Sequence, residues 1–130
     1  MIAGDMMNSP VLATTSQASV RDIATQLIVN GISGMPVTSR AGEVLGIVTE
    51  ADIIDALLDG KKLETLTAQD IMSAEPVTVD VKASQEDVMK LLREEGILRV
   101  PVTDHGKVVG VISRVDVIRA VLEPEFMTFE

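Results

Sequence analysis

Apolar and polar residues follow a strand-like period and then a helix-like period, and this succession occurs twice along the chain. A short apolar run predicts a first strand in each half, over 11–14 and 77–81. A helix starting at Ser19 or Ser84 follows. In the first copy its apolar positions recur every three or four residues, at Val20, Ile23, Ala24, Leu27 and Ile28. One face of this helix is therefore expected to be buried.

Two further apolar segments in each half predict a pair of strands joined by a turn. Gly42 and Gly106 mark the two turns, because glycine accepts the backbone angles that tight turns require. The strands are predicted over 35–38, 44–48, 100–103 and 108–112.

Capping residues set the expected ends of the helices. Gly31 and Gly96 stand where a left-handed C-terminal cap would end the first helix of each half. The second helix of each half begins at Thr49 or Ser113. Pro124 is expected to end the last of them.

The two halves superimpose when the sequence is shifted by about 65 residues. Matching segments include 5–7 with 70–72, 36–38 with 101–103 and 46–49 with 110–113. The pattern predicts an α/β fold of the α+β type, a tandem βαββα repeat whose two subdomains pack with pseudo-twofold symmetry. The expected division is a first repeat 1–60, a polar linker 61–69, a second repeat 70–124 and a tail 125–130.

Composition excludes several classes of function. The net charge of −9 argues against a broad basic surface for nucleic acid or acidic membranes. No apolar stretch approaches the ~20 residues that span a bilayer. The 130 residues include no cysteine, which fits a reducing cytoplasm and excludes thiolate chemistry. A cytoplasmic protein without nucleic-acid or membrane partners is expected.

Catalytic signatures are also missing from the sequence. His105 is the one histidine, in a polar turn, and no Ser-His-Asp arrangement, metal-ligand cluster or phosphate-binding glycine loop accompanies it. Neither catalytic residues nor a metal site are therefore predicted, and an enzyme is not expected.

Each of the four main helices begins with Ser or Thr followed three residues later by Asp. In such a pair the hydroxyl and the carboxylate cap the free backbone N–H groups of the helix start, which stabilises the helix by about 1 kcal/mol. Capping alone explains these residues without any ligand. The pairs are Ser19 and Asp22, Thr49 and Asp52, Ser84 and Asp87, and Ser113 and Asp116.

The duplicated order of elements resembles the cystathionine-beta-synthase (CBS) domain family. The resemblance rests on the opening Asp-x-Met of each half and on a Gly-x-[Val/Ile]-[Ser/Thr]-x-x-Asp segment, over 46–52 and 110–116. It implies a Bateman module, a regulatory pair of repeats with two related clefts that bind adenosyl ligands such as AMP, ADP, ATP or S-adenosylmethionine. It also implies a homodimer, with an unknown effector protein as a further partner.

The resemblance assigns ligand-binding roles to particular residues. Asp52 and Asp116 would accept hydrogen bonds from ribose hydroxyls, while Thr49 and Ser113 would lie near phosphate. Arg99 precedes a strand proline by two residues, a place that often faces phosphate in the family, and Arg114 lies beside Ser113. The expected adenine contacts lie near Ala13, Met35, Thr78 and Val100.

The two copies differ at these positions, and two interpretations follow. The first copy has Gly34 and Glu50 where the second has Arg99 and Arg114, so two sites of unequal affinity are expected. One interpretation is a sensor of an adenosine-containing metabolite. The alternative is a dimerisation or scaffold domain whose clefts bind no ligand.

Overall fold

The computed structural model describes residues 1–74 and 76–127, with side chains as far as 123, and it divides into two compact units. The continuous unit is Leu12–Pro76. The split unit combines Met1–Val11 with Val77–Glu130. The units therefore differ from the sequence repeats. The opening segment of the first repeat, 1–11, is part of the unit that contains the second repeat, and the opening segment of the second repeat, 70–76, is part of the unit that contains the first.

In its described residues, the continuous unit contains three helices, a 3₁₀ turn and a three-stranded antiparallel sheet whose strands are adjacent in chain order. Its core is formed by Val20, Ile23, Leu27, Met35, Val37, Val48, Ile53 and Ala68. Its elements are α2 (Val20–Asn30), β1 (Gly34–Thr38), β2 (Val44–Thr49), α3 (Glu50–Leu58), the 3₁₀ turn (Leu63–Thr65), α4 (Ala68–Ile71) and β3 (Ser73–Ala74).

In the sheet of the split unit, β4 (Val79–Asp80) pairs parallel to β5 (Arg99–Asp104), and β5 pairs antiparallel to β6 (Lys107–Ser113). Here the extra strand pairs with the first strand of the hairpin, whereas in the continuous unit it pairs with the second. The core residues of the split unit are Ala3, Met6, Val79, Val88, Leu92, Val100, Val102, Ile112 and Val117. Its elements are α1 (Ala3–Met6), β4 (Val79–Asp80), α5 (Gln85–Glu94), β5 (Arg99–Asp104), β6 (Lys107–Ser113) and α6 (Arg114–Met127). The mixed α/β class and the helix-hairpin-helix order of both halves are confirmed.

The opening segments pack against the hairpins through small residues. Met7 lies against Gly110 of β6, and Met72 lies against Gly46 of β2. Backbone bonds add to this: Asn8 and Val111 exchange N–H···O bonds of 2.9 and 3.3 Å, and β3 pairs with Gly46 and Ile47 of β2. Each opening segment is thus attached to the second strand of a hairpin.

The predicted N-caps of α2 and α5 are confirmed, and so is the glycine cap at the C-terminus of α2. Ser19 and Ser84 are the N-cap residues, and the Ser84 hydroxyl accepts a 3.1 Å bond from the Asp87 N–H. Gly31 and Gly96 have φ of 64° and 62°, in the left-handed region that costs a residue with a Cβ atom about 1–2 kcal/mol. Gly31 is the C-cap of α2, whereas α5 ends at Glu94 with Glu95 as its C-cap, and Gly96 follows one residue later.

Three expectations about secondary structure need correction. The first strand of the first half is a single bridge, from Thr14 to Val37, because only this residue meets the edge of β1. Ile28 is 81% exposed, since it lies at the end of α2, eight residues and about 80° of helical rotation from Val20. The last helix does not end at Pro124, as α6 continues to Met127, although proline removes one hydrogen bond of the ladder and crowds the carbonyl four residues earlier.

The segment predicted as a linker is folded onto the continuous unit. Leu66 O accepts a 2.9 Å bond from the Val20 N–H, and the Ala68 N–H donates to Ala18 O at 2.9 Å. Ala68 has no exposed surface. This polar stretch therefore contributes to the packing of α2. In the described part of the chain, the helices are all too short or too polar to cross a membrane.

Candidate functional site

The residues expected to bind a ligand lie mainly where the second strand of each hairpin leads into a helix. Thr49 ends β2 and is the N-cap of α3, while Ser113 ends β6 and directly precedes α6. The strand register places Gly34 opposite Thr49 and Arg99 opposite Ser113. The structure thus gathers one set of predicted residues in each unit.

In the continuous unit, Asp52 and Thr49 form a reciprocal cap. Asp52 Oδ2 accepts bonds from the Thr49 N–H at 2.8 Å and from the Thr49 hydroxyl at 3.0 Å. The Asp52 N–H donates to Thr49 Oγ1 at 3.3 Å. Asp52 is half-buried. Within the described ranges, Thr49 is the one residue that donates to this carboxylate.

In the split unit, the corresponding carboxylate is engaged more fully. Asp116 Oδ2 accepts bonds from the Ser113 N–H at 2.7 Å and from the Ser113 hydroxyl at 2.8 Å. It also accepts a 2.7 Å bond from Asn8 Nδ2, although 108 residues separate the two in sequence. Arg119 Nη1 donates to Oδ1 at 3.2 Å. Asp116 is only 5% exposed. Its four hydrogen-bond donors offset the free-energy cost of burying the charged carboxylate.

Sequence reasoning missed Asn8 and Arg119. Arg119 was available as an (i, i+3) partner of Asp116 on one helix. Asn8 gave no such local signal. The repeat aligns Asn8 with Ser73, whose side chain is shorter and has fewer hydrogen-bond donors. This difference between the copies was the one sign that Asn8 could have a role of its own.

The arginines give the two helix starts opposite charge. Arg99 is half-buried beside Ser113, and the exposed Arg114 donates from Nε to Ile97 O at 3.0 Å. At the start of α3 the positions of Arg114 and Arg119 are held by Glu50 and Asp55. The surroundings of Asp52 are therefore acidic, whereas those of Asp116 are basic.

The four residues expected beside adenine fall into two groups. Met35 and Val100 have no exposed surface and belong to the cores of their units. Ala13 is half-buried and Thr78 is exposed. The side chains of Ala13 and Thr78 are therefore accessible to a ligand, while those of Met35 and Val100 are enclosed.

The chemistry available at these helix starts is recognition. A carboxylate accepts hydrogen bonds from both hydroxyls of a vicinal diol, and the N-terminus of a helix favours negative charge. His105 is exposed and its Nδ1 lies 2.8 Å from an Asp104 carboxylate oxygen. In the ranges 1–74 and 76–127, no group of three or more His, Asp or Glu residues is placed to hold a metal ion.

Comparison with known proteins identifies related chains. The family model described as the CBS domain matches residues 3–59 and 68–123. Two solved structures are similar over 95% of this chain and 98% of theirs, each at 27% identity. One is the CBS domain pair of protein MJ0100 in complex with 5′-methylthioadenosine and S-adenosyl-L-methionine, with a TM-score of 0.85. The other is CBSX2 in complex with AMP, with a TM-score of 0.84.

One curated relative is an enzyme of much greater length. The A-adding tRNA nucleotidyltransferase of Aquifex aeolicus is 30% identical over 121 residues, which are 92% of this chain and 14% of the enzyme. The similarity therefore covers a small part of that protein.

Proposed function

The chain belongs to the CBS domain family, and on that premise we propose that it is a regulatory module that binds an adenosine-containing ligand and performs no catalysis. The observation that carries the proposal is the pair of helix starts, Thr49 with Asp52 and Ser113 with Asp116, in a chain whose solved relatives hold AMP or S-adenosylmethionine. The expected cytoplasmic location is part of this proposal.

Each proposed contact follows from the chemistry of the side chain. Asp52 and Asp116 accept ribose hydroxyls, and Thr49 and Ser113 lie beside the 5′ substituent. Arg99 and Arg114 stabilise a phosphate there, because guanidinium groups form charge-assisted bonds with phosphate oxygens. Ala13 and Thr78 contact adenine through their side chains. Met35 and Val100 are enclosed and contribute backbone surface only.

Regulation requires that the ligand bind one conformation of the module more tightly than another. We propose a homodimer as the assembly that transmits the change to an effector protein. Exposed apolar helix residues support this, because residues three or four positions apart share one helix face and a contiguous apolar patch indicates a partner surface. They are Ile28, Val29, Ile54, Leu57 and Leu58 on the continuous unit and Val115, Ile118 and Val121 on the split unit.

Isothermal titration with AMP, ADP, ATP, 5′-methylthioadenosine and S-adenosylmethionine tests the proposal. We expect saturable binding to the wild type by at least one of these ligands. Affinity should fall at least about tenfold when the ribose-binding carboxylate is replaced, since hydrogen bonds to a charged group are strong. The variants are Asp52→Asn and Asp116→Asn, in which asparagine keeps the size and one acceptor of the side chain.

A scaffold domain without ligand is the second candidate function. The observation that favours it is the internal pairing of Asp116, whose four donors explain this residue without a ribose. No heat of binding for any ligand of the panel, with folded protein verified by circular dichroism, would establish this alternative.

A further inference from the structure

The two carboxylates at the helix starts occupy corresponding places but have different hydrogen-bonding capacity left. A carboxylate offers about four lone-pair positions for donors. Asp116 accepts four hydrogen bonds, from the Ser113 N–H and hydroxyl, from Asn8 and from Arg119. Asp52 accepts two, both from Thr49. Both bonds of Asp52 end on Oδ2, so Oδ1 keeps two positions, the number that the two hydroxyls of a ribose require. At Asp116 three donors are on Oδ2 and Arg119 is on Oδ1.

The strand register identifies what replaces Asn8 in the continuous unit. Asn8 pairs with Val111, five residues before Asp116, and Ser73 pairs with Ile47, five residues before Asp52. Asn8 and Ser73 thus hold the same place relative to the two carboxylates. Asparagine reaches Asp116, whereas in the described structure no bond joins Ser73 to Asp52, because the serine side chain is shorter.

The charged neighbour also differs between the two units. Arg119 follows Asp116 by three residues and donates to its Oδ1. Asp55 follows Asp52 by three residues, and a carboxylate cannot donate a hydrogen bond to another carboxylate. Both replacements therefore act in the same direction, occupying Asp116 and leaving Asp52 open.

We propose that Asn8, assisted by Arg119, determines which carboxylate binds the ribose: Asn8 occupies Asp116 and fixes the opening segment, and the ribose is bound at Asp52. This inference rests on the proposed adenosyl-binding function. Asn8 is a specificity-determining residue in this role, and Asp116 is a positioning residue.

Exchange of the two corresponding residues tests the inference. Isothermal titration with 5′-methylthioadenosine and with AMP is carried out on the wild type, Asn8→Ser and Ser73→Asn. We expect one ligand per wild-type chain and additional binding by Asn8→Ser, because Asp116 regains an open position. Ser73→Asn should weaken wild-type binding about tenfold, since it supplies the competing donor.

The carboxylate variants assign each binding event to its site. Asp52→Asn should abolish the wild-type event, and Asp87→Asn, at the start of α5 and outside the proposed site, should leave it within about threefold. The additional event in Asn8→Ser should disappear in Asn8→Ser/Asp116→Asn. Asn8 is exposed, so Asn8→Ser remains informative even where Asp116→Asn impairs folding.

The outcomes separate the inference from the proposed function. Binding that depends on Asp116 and survives Asp52→Asn would overturn the inference and leave the adenosyl-binding function standing. An unchanged number of ligands in Asn8→Ser would also overturn it. Absence of binding by the wild type and by every variant would overturn both, because no ribose would then be bound at either carboxylate.

Discussion

Substitution of Gly46 by alanine tests how the opening segments pack on the hairpins. A Cβ atom at Gly46 would lie 2.7 Å from Met72 Sδ, 2.7 Å from the Ser73 carbonyl oxygen and 2.9 Å from Met72 Cγ. These distances are shorter than van der Waals contact, so β3 must move away from β2. Overpacking of this kind costs about 1–3 kcal/mol, and we expect Gly46→Ala to lower the free energy of unfolding by about 2 kcal/mol.

Gly110 provides the matched comparison in the split unit. There the three nearest atoms all belong to the side chain of Met7, with Cγ at 2.8 Å and Cβ at 2.9 Å. Met7→Gly removes all three of these atoms and should relieve much of the cost of Gly110→Ala. Met72→Gly leaves the Ser73 carbonyl in place and should relieve little of the cost of Gly46→Ala.

Urea unfolding followed by circular dichroism measures these free energies as the product of midpoint and slope. In double-mutant cycles we expect a coupling of about 1 kcal/mol for Met7 with Gly110 and below about 0.5 kcal/mol for Met72 with Gly46. Gly96→Ala is the control, since its cost comes from φ of 62° and no atom lies within 4 Å of the added Cβ. Equal couplings in the two cycles would refute the reasoning.

Three further predictions concern the turn, the ligand and the assembly. His105→Asn should raise the free energy of unfolding by about 0.5 kcal/mol in urea titrations. His105 has φ of 51° in the two-residue turn with Gly106, and asparagine tolerates the left-handed region better. An unchanged urea midpoint would contradict this. Glu50→Gln should strengthen AMP binding relative to 5′-methylthioadenosine in isothermal titration, because it removes a negative charge beside Thr49, and equal changes for both ligands would contradict it. Ile118→Lys should shift the sedimentation of the proposed homodimer toward that of a monomer while circular dichroism stays unchanged, because Ile118 is 58% exposed; an unaltered sedimentation coefficient would exclude this face from the interface.

Local signals in the sequence were sufficient for most of the fold. Ser19 and Gly31 cap the two ends of α2 as predicted, because capping depends on residues within one helical turn. The duplication identified the family, and its model matches both halves. Ile28 was misplaced because helical periodicity does not show where the neighbouring packing surface ends.

Contacts between residues far apart in the chain could not be predicted from the sequence. The bond between Asn8 and Asp116 joins residues 108 positions apart, and neither residue carries a local sign of the other. The sequence also did not predict which hairpin each opening segment packs against. The two repeats have similar hairpins, and sequence periodicity does not distinguish between them. The proposed ligand contacts of Asp52 and Asp116 stay predictions, since capping accounts for their geometry equally well.

The exchange of opening segments has a consequence for synthesis of the chain. The core of the continuous unit lies within 20–68, so all of it has left the ribosome once Pro76 has emerged. Ala3 and Met6 belong to the other core, and Ile112 of that core is made later. At a synthesis rate of about 5–20 residues per second, the hairpin of the split unit is complete roughly 2–7 s after Pro76 has been made. The apolar side of segment 1–11 stays unpacked during that interval. Residues 3–6 are therefore made before the core of the continuous unit is complete, but they reach their final packing only after Ile112 has been made.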